Sequence, residues 1–189
     1  MIRAFLALPL PDVLRSSLMV QQFVLPLPRK ADPDSFHLTL VFLGDTPEPM
    51  LEELDLALSA LRLPGFSLTL KGLGLFGGAD PHTAWAGVDP VPGLIRLQAK
   101  VEHLARQAGC RIERRRFTPH VTLGRFSRLS LEARLPLERA IAESRFDAAP
   151  AQIEGFSLYR STLTKSGSRY DELAYYPLLP ADSPARPGA

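Results

Sequence analysis

The stretch Phe36-His37-Leu38-Thr39-Leu40 returns in the second half of the chain as Pro119-His120-Val121-Thr122-Leu123. In an extended strand, residues i and i+2 point to one face. His37 and Thr39 therefore project together, as do His120 and Thr122, while Leu38, Leu40, Val121 and Leu123 turn the other way into a core. Each pair sets an imidazole, which exchanges a proton near neutral pH, beside a hydroxyl that can hydrogen-bond a phosphoryl oxygen. A single His-x-Thr reads as a structural histidine with its hydrogen bonds satisfied. Two copies, each followed by Leu on an apolar strand-like segment, point to a duplicated lobe with a shared cleft.

The segments around the two motifs repeat the same grammar. Ile2–Leu8 is apolar and strand-like, and Pro11 opens a helix to about Val24 that Pro26 and Pro28 end. The first motif strand, His37–Leu43, stops at Gly44 and Asp45, and a helix over Pro47–Leu61 follows with its acids early, at the positive end. Phe66–Leu70 and Thr83–Val88 read as strands flanking a mobile loop that carries Gly72, Gly74, Gly77 and Gly78. Leu94–Ala108 is helical. Val121–Phe126 is the second motif strand, Leu131–Glu143 is helical, and Ile153–Tyr159 and Tyr170–Leu178 are strands. One domain over residues 1–179 carries both motifs, one in each lobe, and the Pro-, Ala- and Gly-rich residues 180–189 read as a disordered tail.

Composition narrows the function. The 189 residues are 46% hydrophobic, ample for a buried interior. Lys and Arg number 22 against 20 Asp and Glu, so the total charge does not by itself announce a nucleic-acid binder. Six arginines do cluster between positions 111 and 128: Arg111, Arg114, Arg115, Arg116, Arg125 and Arg128. Alone, this cluster reads as a solvated face; beside a phosphate site it would supply anion ligands. The lone Cys110 allows no internal disulfide and no cysteine-based zinc site, which fits a reducing cytoplasm. No apolar run suits a membrane helix, and the apolar start reads as a strand in place of a signal peptide. Neither motif has the i,i+4 histidine partner or clustered carboxylates of a zinc site, and no Walker or dinucleotide loop is present.

Two histidines suffice to open a cyclic phosphodiester. One deprotonates water on one side of phosphorus, and the other protonates the departing ribose oxygen in line. Thr39, Thr122 and an arginine would then stabilise the charge developing on the equatorial oxygens. Arg125 is the nearest arginine after the second motif, but at i+5 from His120 it points to the wrong face of a flat strand and needs a bulge or strand end. Phe76, beside Gly77-Gly78, either stacks on a base or folds back onto the core. Trp85 and Phe42 sit in apolar strands and read as packing, and His82 and His103 as surface residues.

The motifs His37-Leu38-Thr39-Leu40 and His120-Val121-Thr122-Leu123 resemble those of the two-histidine phosphoesterase superfamily, specifically the RNA 2′,3′-cyclic phosphodiesterases once named 2′-5′ RNA ligases. The likeness extends to Arg3-Ala4-Phe5-Leu6-Ala7, Phe42-Leu43-Gly44, Trp85-Ala86-Gly87-Val88 and Leu158-Tyr159-Arg160-Ser161, nearly the whole chain. It implies an α+β fold of two similar lobes, each an antiparallel sheet with outer helices, around a central cleft. It implies no metal or organic cofactor and a 2′-phosphate product made from an RNA end or cyclic nucleotide. His37 would be the proton donor, His120 the general base, and Arg125 a substrate ligand. The position after the first motif is often basic in such proteins and is Val41 here, so that contact is either missing or supplied elsewhere, with Arg115, Arg116 and Arg160 as candidates. Nothing argues for an obligate oligomer. The alternatives are 2′-5′ joining of tRNA halves, a non-catalytic RNA-binding module, and a domain whose histidines are only structural.

Overall fold

The structure, a computed structural model, describes residues 1–113, 116–127, 129–164 and 167–181. Arg114, Arg115, Arg128 and most of the expected tail lie outside these residues. In chain order the elements are β1 (Ile2–Pro9), α1 (Asp12–Val24), a 3-10 turn (Pro33–Ser35), β2 (His37–Thr46), α2 (Glu48–Ser59), β3 (Phe66–Leu68), β4 (Leu70–Phe76), β5 (Thr83–Val88), α3 (Pro92–Gln107), β6 (His120–Arg125), α4 (Leu131–Glu143), β7 (Ala151–Ile153), β8 (Gly155–Thr164) and β9 (Gly167–Pro177). Prolines set several of these boundaries. Pro11 and Pro47 immediately precede α1 and α2, where a missing N–H costs nothing. No helix among the described residues is long and apolar enough to cross a membrane.

The fold is α+β, but the two expected sheets are joined. Seven strands run β4-β5-β6-β2-β1-β8-β9, all antiparallel, with β3 and β7 forming a separate pair. The seam is a single register pair, Leu38 with Val121, between the two motif strands. One face of the sheet is dry: Leu6, Leu8, Leu38, Val121, Ala86 and Leu158 are buried with the inward residues of the helices in one continuous core. On α1 that inward row is Leu14, Leu18 and Gln22, one residue per turn.

Three expectations change. The glycine-rich stretch is not one mobile loop, because Gly72 and Gly74 belong to β4. A Cβ at Gly74 would overlap the Trp85 ring, so this glycine makes room for the indole on the neighbouring strand. Only Gly77 and Gly78 (φ +116° and +56°) form the turn. Strand β2 runs past Gly44, whose φ of +70° lets the ladder continue through a register shift opposite Ala4 and Phe5. That shift and a second one beside Ala7 leave Leu40, Val41 and Leu43 all buried and Phe42 47% exposed, beneath the Arg3 guanidinium. Phe42 is therefore not a packing residue, and Val41 stands in the core opposite Leu6, where a basic side chain has no phosphate to meet.

Leu38 is fully buried at the seam, whereas Phe23 on α1 is 81% exposed. Leu38→Ala is expected to lower stability by about 2–5 kcal/mol, and Phe23→Ala to change it by no more than about 0.5 kcal/mol. Urea unfolding checks both.

Candidate active site

The seam brings the two motifs together. Counting outward from Leu38 and Val121 in the antiparallel sense places His37 across from Thr122 and Thr39 across from His120. The four side chains thus form a near-twofold square on the face away from the core, each half-buried. Across a strand pair, diagonal Cβ atoms are roughly 7–8 Å apart, a span that lets two imidazoles bracket a phosphorus.

Both rings are held in the same way. His37 Nδ1 lies 2.7 Å from the Ser35 carbonyl and His120 Nδ1 lies 2.8 Å from the Thr118 carbonyl. A carbonyl only accepts, so Nδ1 carries the proton and donates it, leaving Nε2 on the far side of each ring to exchange protons. The Ser35 carbonyl is presented by the 3-10 turn, whose start is capped by Asp32 accepting from the Asp34 N–H.

Aromatic rings wall both imidazoles. Phe5 (4.9 Å between centroids), Tyr170 (5.1 Å, edge-on) and Tyr159 (6.4 Å) surround His37. Phe76 (4.8 Å, edge-on) and Trp85 (6.4 Å) flank His120. This burial pulls the His37 pKa down to about 4, against the opposing hydrogen bond to Ser35, with the charges of Arg125 and His120 adding to the depression. His120 is also lowered, first by burial and then by Arg125, with its bond to Thr118 opposing. Both rings are neutral at pH 7 with the cleft empty, and both sense Arg125.

Of the two devices its spacing allowed, a bulge or a strand end, Arg125 reaches this face through the bulge. Thr83 pairs with Arg125 and Ala84 with Gly124, but Trp85 pairs with Thr122, so Leu123 is an extra residue on β6. The bulge restores Arg125 to the side of His120 and Thr122, where it lines a cleft of about 680 Å³ with His37, Thr122 and Tyr170. Gly124 is required for close packing: a Cβ there would overlap the Arg29 carbonyl.

Phe76 resolves between its two readings as a wall: it lies edge-on to His120 and tilted against Trp85 at 5.1 Å. Trp85 does the same work in place of simple core packing. His82 and His103 are exposed, as expected. Arg160 pairs with Asp171 at 3.2 Å and does not line the cleft. The cleft instead draws Arg29, Lys30 and Arg169 to its rim, with Asp32 and Asp34 among the other lining residues. These three cations were missed. The adjacent Arg29-Lys30, shortly before the first motif, was the available signal. Among the described residues no three His, Cys, Asp or Glu side chains are grouped to hold a metal ion.

The family model of the 2′-5′ RNA ligase superfamily matches residues 11–164. The chain belongs to that superfamily. It is 32% identical over 148 residues to the RNA 2′,3′-cyclic phosphodiesterase of Aeropyrum pernix, covering 77% of this chain and 83% of that protein. It is 31% identical over 180 residues to the protein of the same name from Escherichia coli, covering 93% and 96%. Among solved structures, E. coli LigT complexed with 3′-AMP superposes with a TM-score of 0.77 at 27% identity, covering 94% of this chain and 98% of that one. TT0787 of Thermus thermophilus superposes at 0.76 with 30% identity, covering 95% and 99%.

Because the folded pKa of His37 lies below its ordinary 6.5, the unfolded chain binds more protons between about pH 4 and 6.5. Stability is expected to be full above pH 6.5 and to fall as the pH drops toward 4. His37→Gln flattens that dependence, which urea melts across the window check.

Proposed function

We propose that this chain hydrolyses the 2′,3′-cyclic phosphate of an RNA end or a cyclic nucleotide to a 2′-phosphate by two-histidine acid–base catalysis without a metal. The observation that carries the proposal is the paired anchoring of His37 and His120 through Nδ1, with a threonine across the seam from each. The names of the E. coli and A. pernix relatives support the same reaction and substrate. Neither motif strand alone holds an acid and a base, so the catalytic unit takes in both, within residues 1–179.

In the proposed reaction, His120 Nε2 accepts a proton from water as its oxygen bonds to phosphorus. The bond from phosphorus to O3′ breaks in line, and His37 Nε2 delivers a proton to the departing oxygen. The donor role of His37 and the acceptor role of His120 follow the family resemblance, and burial lowers the pKa of both rings. In the empty cleft His37 is neutral, so its proton must arrive with the substrate. An anionic phosphate between the rings favours the imidazolium and raises its pKa. Thr39, Thr122 and Arg125 donate to the equatorial oxygens, in a site whose aromatic walls hold water back and strengthen each donor. Phe76 and Tyr170 border the site, and the rim cations Arg29 and Lys30, beside Arg169 in its ion pair with Asp171, extend positive charge beyond one phosphate, as an RNA strand requires.

His37→Ala and His120→Ala are each expected to lower kcat on a nucleoside 2′,3′-cyclic phosphate by about 10²–10⁴-fold with the fold intact by circular dichroism. A metal chelator leaves the wild-type rate unchanged. Full activity in either folded variant, or loss of activity with chelator, contradicts the mechanism. Raising salt is expected to weaken binding of an RNA substrate more than that of a cyclic mononucleotide, because more phosphates are then neutralised by cations. Measuring KM for both substrates across a salt series checks this.

A further inference from the structure

Gln22 is the exception on the inward row of α1. It follows Leu14 and Leu18 at helical spacing, is only 5% exposed, and carries a polar amide into the core. Such a group is costly unless hydrogen-bonded. Gln22 Nε2 donates to the Ala31 carbonyl at 2.7 Å and to the Leu123 carbonyl at 2.9 Å. The Ala31 N–H also donates to the Leu123 carbonyl, at 2.9 Å.

These bonds meet at the bulge. Leu123 is the residue that the β5–β6 ladder skips, and its carbonyl is satisfied by Gln22 and Ala31. The next residue, Gly124, has no Cβ to hold off the Arg29 carbonyl. Three segments are thus locked together: the end of α1, the nearby segment Arg29–Asp32 that forms one cleft wall, and the sequence-distant bulge whose extra residue turns Arg125 toward the cleft. Remove the bulge and the alternation of a regular strand sends Arg125 to the core face.

We propose that Gln22, which does not line the cleft, is a positioning residue for the reaction: its amide holds the β6 bulge against Ala31 and thereby aims Arg125 and the Arg29–Asp32 wall at the phosphate. The proposal rests on the role given to Arg125 above. A purely structural Gln22 would cost stability or folded yield without caring whether Arg125 is present. A positioning Gln22 acts through Arg125, so the two losses are not independent.

The experiment is a double-mutant cycle of Gln22→Leu and Arg125→Ala on a nucleoside 2′,3′-cyclic phosphate, with folding followed by circular dichroism. Arg125→Ala alone is expected to lower kcat/KM by about 10²–10³-fold, the scale of one lost transition-state donor. Gln22→Leu is expected to lower kcat/KM by about tenfold beside Arg125 and by less than about twofold in the Arg125→Ala background, a coupling typical of residues acting as one unit. Gly124→Ala, which disturbs the same junction without touching the amide, should give the same pattern and carries the test if Gln22→Leu does not fold. Arg125 lowers both histidine pKa values, so NMR titration of Gln22→Leu should move both midpoints upward. Equal losses in the two backgrounds with unmoved midpoints overturn the positioning role. An unaffected Arg125→Ala enzyme instead overturns the role given to Arg125 in the reaction, and the proposal with it.

Discussion

The pairing of Leu38 with Val121 is the contact on which the rest of the structure depends. It is the one register pair that joins β4-β5-β6 to β2-β1-β8-β9, and it lies between the alternating residues of both motifs. A slip of one residue at this seam would carry His37 and Thr39, or His120 and Thr122, into the core and bring leucines to the cleft. The core enforces the register, since Leu38 and Val121 are both fully buried. Packing energy on one face of the sheet thus sets the arrangement of the two His-x-Thr pairs on the other.

The site is built to control where protons sit before substrate arrives. A backbone carbonyl holds Nδ1 of each ring, and aromatic side chains from five strands flank the two imidazoles. Burial and the charge of Arg125 lower the pKa of both histidines in the empty cleft. In the proposed reaction, the cation that disfavours protonated imidazoles is also the group that attracts the phosphate. Substrate binding is thereby coupled, in that proposed reaction, to the loading of the acid.

Much of this was legible along the chain. Alternation assigned the faces of His37, Thr39, His120 and Thr122, proline spacing set the starts of α1 and α2, and the need for a bulge or a strand end at Arg125 followed from strand parity alone. What stayed hidden depends on partners far away in sequence. The glycines of β4 read as a loop because the Trp85 ring that occupies the space over Gly74 comes from the next strand. Phe42 and Val41 exchanged faces because β2 is bulged against β1, and a bulge is a property of two strands. The rim cations Arg29, Lys30 and Arg169 come from a loop and a hairpin that the fold brings to the cleft. Nothing local to Gln22 reveals the carbonyl left over by a bulge 101 positions away.

The most direct test of the two-histidine account is phosphorus NMR of a nucleoside 2′,3′-cyclic phosphate turned over by the wild-type chain in the presence of a metal chelator. The account predicts a single product, the 2′-phosphate, because the proton donor serves only the 3′ oxygen of a substrate held in one orientation. Formation of the 3′-phosphate, a mixture of both isomers, or no turnover by the folded protein would contradict it.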